Sequence, residues 1–169
     1  MSNEFEVGAV VSEISAHLGG VAAEVESEHD RWHLYLRAMD SPEGRKLLLR
    51  AVEVEPDQSV ALSIVLEMME RLPSVESREW VRRLPPGKNR QFAEQRARDY
   101  CVMETLGEGG TVDGGPGDWS VWLQLRAAEV STDSSLLTRL AETGGTKRVR
   151  RIAVDRLRLL RRGDPGRHA

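Results

Sequence analysis

Two imidazoles four residues apart, in His29-Asp30-Arg31-Trp32-His33, are the side chains whose type and spacing best suit metal chemistry. On a helix, positions i and i+4 share one face, which is how helices present two histidines to a zinc ion. No third ligand follows at a matching spacing, and His17 and His168 stand apart. The pair therefore reads as two interfacial histidines. His29 and His33 stay as secondary metal candidates, and a metal-dependent hydrolase ranks last among the functions.

Cys101 is the single cysteine, which rules out an internal disulfide and leaves no thiolate cluster for a metal. Within Tyr100-Cys101-Val102-Met103 it reads as a buried small apolar residue rather than a nucleophile. Asp99 and Glu104 read as ordinary charges on a helix face. Residues 107–118 hold six glycines in twelve positions, too many for a helix. A phosphate-binding loop would need a preceding strand and a closing Lys-Ser/Thr, and neither is present, so the stretch reads as a mobile loop. The sequence has no Ser-His-acid elbow, no paired carboxylates in apolar surroundings and no glycine-rich cofactor turn. These residues point away from catalysis, and no cofactor is expected.

Charge is more informative. The net charge of -3 conceals a gradient: residues 1–57 carry 12 acidic and 5 basic side chains, whereas residues 119–169 carry 5 and 11. Eight of the sixteen residues from Lys147 to Arg162 are basic. Val149, Ile152, Ala153, Leu157 and Leu160 reserve one face of that helix for a core, so the cations must line the opposite face. Lys147, Arg148, Arg150, Arg151, Arg158, Arg161 and Arg162 are thus candidates for an anionic partner. Such a row can follow a nucleic-acid backbone, but no interleaved aromatics offer bases a stacking platform. Pairing within the fold or with an acidic protein is favoured over nucleic acid.

The elements that position these residues are helices. Aromatics are few and long Val/Ile/Thr alternations are missing, which argues against a sheet. Val7, Val11, Ile14, Leu18, Val21, Val25, Trp32, Tyr35 and Met39 follow a 4-3 spacing interrupted by Gly19-Gly20. Either one long helix with a seam for a partner, such as a second copy, or a hairpin results. Val7, Val11, Ile14, Leu18, Trp32 and Tyr35 are partner-binding candidates on that basis. Ser41-Pro42-Glu43 opens the next helix, which ends at about Val54, and Pro56-Asp57 starts another. Further helices are expected over about 76–84, 89–106, 118–129, 133–142, capped by Ser131 or Thr132, and 146–161. Trp80, Trp119 and Trp122 fall at helix starts; Trp119 and Trp122, beside the glycine-rich stretch, join the partner-binding candidates.

Leu136-Leu137-Thr-Arg-Leu140-Ala141, then Gly144-Gly145, then Val149-Arg150-Arg151-Ile152-Ala153 through Leu160, resembles a HEAT-type or leucine-rich-repeat-variant unit. Such units pair an apolar helix with a second that opens on Val-Arg and crosses at a small Ala. Shifted by 89 residues, Leu47, Leu48, Ala51, Val52, Val60 and Ile64 fall on Leu136, Leu137, Leu140, Ala141, Val149 and Ala153. The resemblance implies a scaffold that binds protein or nucleic acid, with no catalytic residues to carry over. His29–His33 resembles the zincin motif, with Asp30 where that motif has Glu.

The expectation is an all-α chain of about eight or nine helices, a helical bundle or short α-solenoid of HEAT-like pairs. The N-terminal helix or hairpin spans 1–40 and degenerate repeats 41–106; the glycine-rich loop spans 107–118, the HEAT-like helices 119–162 and a flexible tail 163–169. No apolar run is long enough for a bilayer, and the default location is the cytoplasm. Only three of the 24 basic side chains are lysine, as the codon bias of a GC-rich, bacterial genome would give. The expected function is a non-catalytic protein-interaction module: an adaptor, a regulator or an immunity-type protein.

Overall fold

The computed structural model describes residues 2–20, 27–110, 112 and 114–163. All regular structure among them is helical: α1 (Ser2–His17), α2 (Glu28–Ala38), α3 (Pro42–Val54), α4 (Gln58–Arg71), α5 (Ser74–Arg83), α6 (Lys88–Gly107), a 3-10 turn (Pro116–Asp118), α7 (Val121–Val130), α8 (Ser134–Thr143) and α9 (Lys147–Gly163). The chain divides into two compact units, Met1–Ala97 and Arg98–Ala169, so the boundary falls within α6 and not in the glycine-rich stretch.

In unit 1 the apolar seam is consumed internally. The turn that closes α1 passes through Gly19, whose φ of +73° is open to glycine without strain. The Gly19 amide donates to Ala16 O and the Gly20 amide to Ser15 O, both at 3.0 Å, closing a Schellman turn. The rod alternative is thereby excluded: α1 stops and packs on α3 and α2. Val21 and Val25 lie outside the described residues. Gly44, in the first turn of α3, fits because the end of α2 crosses there; an added Cβ would lie 2.1 Å from Ala38 O. Ser41 caps α3 by accepting from Gly44 N at 3.0 Å, and Asp57 caps α4 by accepting from Ser59 N and Val60 N. Ile14, Tyr35, Met39, Leu48, Ile64 and Met68 are fully buried in this unit, with Trp80 nearly so in the middle of α5 rather than at its start.

In unit 2, α8 and α9 lie against each other and α7 packs on α9. Their shared core is Ala127, Ala128, Leu136, Leu137, Leu140, Val149 and Ala153, with Trp119, Met103 and Leu106 against it. Two expected boundaries move. α7 starts at Val121, because Pro116–Asp118 forms a 3-10 turn and Ser120 supplies the cap by accepting from Leu123 N at 3.1 Å. α8 is capped by Asp133, which accepts from Ser135 N at 2.7 Å. Ser131 instead accepts from the Asp133 amide at 3.0 Å.

Candidate partner-binding surface

The seven cationic candidates divide by what the α8–α9 turn demands. Arg150 is half-buried and donates through Nη1 to Gly144 O, the carbonyl that ends α8, so it belongs to the fold rather than to a surface. Arg156 likewise donates through Nε to Ser131 O at 3.2 Å. Arg158 is exposed and pairs with Asp155 one turn away at 3.2 Å. Lys147, Arg148, Arg151, Arg161 and Arg162 are exposed, and their side chains form no hydrogen bond or ion pair with the described residues.

At 100° per residue, Lys147, Arg151, Arg158 and Arg162 fall within about 60° of one another and span roughly 22 Å of helix. Arg148 and Arg161 flank this stripe. Leu159, one turn before Arg162, lies between this stripe and the buried face and is 58% exposed. The outer face of α9 is therefore a cationic ridge carrying one apolar side chain. Val149 and Ala153 are fully buried on the opposite side.

The apolar candidates take the opposite fate. Val7, Val11, Ile14 and Tyr35 are buried within unit 1, and Leu18 and Trp32 are half-buried. In unit 2, Trp119 packs against the core. Trp122 meets Tyr100 at 5.0 Å between ring centroids, with the Arg126 guanidinium 5.8 Å over its face. Among the described residues, most of the 4-3 pattern, together with Trp80, Trp119 and Trp122, thus serves internal packing.

Three polar positions were not legible as sites. Glu55 is buried between α3 and α4 and was unremarked in the sequence because its side-chain partners lie 20 or more residues away. Arg31 straddles its carboxylate, with Nη2 2.8 Å from Oε1 and Nε 3.0 Å from Oε2. The Tyr35 hydroxyl donates to Oε2 at 2.9 Å. Burial first, then the Glu55 charge, pushes the Tyr35 phenol far above its ordinary value, and the Arg31 guanidinium is raised chiefly by its hydrogen bond to Glu55. Asp99, expected on an open helix face, is buried and accepts from Ser120 Oγ at 2.7 Å. Gln124 is also buried; its Oε1 accepts from Gly145 N at 2.7 Å and its Nε2 donates to Trp119 O at 2.9 Å. Cys101 departs from expectation the other way: it is exposed, since α6 turns Asp99 inward at that level.

A groove of about 320 Å³ between the ends of α6 and α7 and the start of α8 is lined by Met103, Leu106, Val130 and Leu136. Its one carboxylate, Asp133, is committed to capping α8 and held below the usual carboxylate range, first by the Ser135 hydroxyl. The remaining polar side chains of the lining are the hydroxyls of Ser131 and Thr132. No three His, Cys, Asp or Glu among the described residues are placed to hold a metal ion, and no described helix is long and apolar enough to cross a membrane. The chain matches no protein-family model, no curated protein and no solved structure.

Proposed function

We propose that this chain is a non-catalytic interaction module of the cytoplasm that takes an acidic protein segment on the outer face of α9. One observation carries the reading: Lys147, Arg148, Arg151, Arg161 and Arg162 are held outward on one helix face with no ion pair among the described residues. A row of unneutralised cations adds little to folding, and its field raises the encounter rate of an anionic partner. Exposed Leu159 beside the row favours a protein, because an apolar contact amid charges is what an amphipathic acidic helix presents. The pairing of α3 with α4 and of α8 with α9 is compatible with a HEAT-like scaffold and supports the binding role.

Nucleic acid is the second reading, favoured by the length of the ridge but not by the aromatics, since Trp122 is engaged with Tyr100. The test is titration of the full chain with an amphipathic Glu/Leu helical peptide and with duplex DNA, each at two salt concentrations. Salt-sensitive peptide binding that Arg148→Ala/Arg151→Ala/Arg162→Ala weakens at least tenfold is the expected result. Tighter binding of DNA would replace the first reading by the second, and binding of neither would overturn both.

A further inference from the structure

His29 and His33 lie in the first two turns of α2, both exposed, with their Nε2 atoms 3.1 Å apart and ring centroids 4.4 Å apart. That separation suits a hydrogen bond between the rings and equally a shared ion. An ion bonding two imidazoles at about 2.0–2.1 Å, with a ligand–metal–ligand angle between about 90° and 109°, holds them roughly 2.9–3.4 Å apart. The neighbouring carboxylates are committed elsewhere. Asp30 accepts from Ser27 Oγ at 2.5 Å in the helix cap, and Glu28 is engaged with Asp57. What the helix offers outward here is therefore the imidazole pair.

We infer that His29 and His33 form a two-nitrogen chelate for a borderline divalent transition-metal ion, with water filling the other coordination positions. Imidazole pairs select copper, nickel and zinc over magnesium and calcium, and copper(II) binds most tightly in that series. To ligate, each ring must carry its proton on Nδ1 so that both Nε2 lone pairs face the ion. With two protein ligands the site is open, so it binds and displays an ion rather than enclosing one. Spanning i to i+4, the ion also clips the first turn of α2.

The experiment is calorimetric titration of the full chain with copper(II), zinc(II) and magnesium(II) salts, alongside His29→Ala, His33→Ala and His17→Ala. Expected are one copper per chain, weaker zinc and no magnesium, with either α2 substitution reducing copper affinity at least tenfold and His17→Ala leaving it unchanged. The copper(II) paramagnetic resonance spectrum of the wild type should show two equatorial imidazole nitrogens, falling to one in His33→Ala. Both variants replace exposed side chains, and melting curves establish that they remain folded. Copper binding that survives in both α2 variants is adventitious binding elsewhere, and that result, or no binding by the wild type, overturns the inference.

Discussion

In unit 1 arginines fasten helices to one another, whereas in unit 2 those of α9 mostly face outward. Arg50 of α3 reaches Glu13 of α1 at 2.5 Å, Arg71 of α4 reaches Asp40 at 3.0 Å, Arg83 of α5 reaches Glu53 of α3 at 2.7 Å, and Arg31 of α2 closes on buried Glu55. In unit 2 the ion pairs Arg126–Glu129 and Arg158–Asp155 stay within single helices. Ties between its elements include Ser120 to Asp99, Gln124 to Gly145 and Arg150 to Gly144, each with a neutral or backbone group on one side. The same residue type thus holds structure where acids face it across a helix pair, and remains free for a partner where they do not.

The largest effect should come from breaking the buried pair. Glu55→Ala leaves Arg31 beside an empty acceptor site and Tyr35 without its acceptor, at a cost of about 3–5 kcal/mol. Hydrogen exchange read helix by helix should show the loss concentrated in α2, α3 and α4. Equal loosening of α7–α9 would break the contrast between the units.

Tyr35→Phe sharpens the same point. Because the folded Tyr35 pKa is raised, its contribution is fully present below the unfolded phenol value of about 10 and is lost as pH rises above it. Denaturant titrations between pH 9 and 11 should show falling stability in the wild type and a shallower slope in Tyr35→Phe. The variant also loses one hydrogen bond to a charged acceptor, worth about 1.5–3 kcal/mol at neutral pH.

Asp133→Ala should have the smallest effect, about 1 kcal/mol through the lost cap of α8. The Asp133 pKa is lowered, so the wild-type contribution is present above the unfolded carboxyl value near 3.9 and is lost as pH falls through the folded one. The stability gap between wild type and variant should therefore close below about pH 4, measurable by thermal melts from pH 2.5 to 6.

Helices were legible because their signals are local. Ser41-Pro42, Pro56-Asp57 and Gly144-Gly145 state where the chain turns, and the spacing of Val149, Ile152 and Ala153 states which face of α9 is inward. Glu55, Asp99 and Gln124 were not legible, since a buried polar residue is recognisable only with its distant partner in place. The seam from Val7 to Met39 left two outcomes open. A 4-3 repeat specifies a stripe to be covered but not what covers it, and two glycines after Leu18 turned the cover into the chain's own α2 and α3. The outward cations of α9 were readable because the buried stripe fixes the opposite face; Arg150 was not, because only the fold brings Gly144 O within its reach.

The exposure of Cys101 gives the chain a ready experimental handle. With a single thiol, and that one open to solvent on α6, a maleimide dye or spin label attaches at one known position with no engineered cysteine. Titrations of peptide, duplex and metal ion could all be followed from that one reporter on an otherwise unaltered sequence.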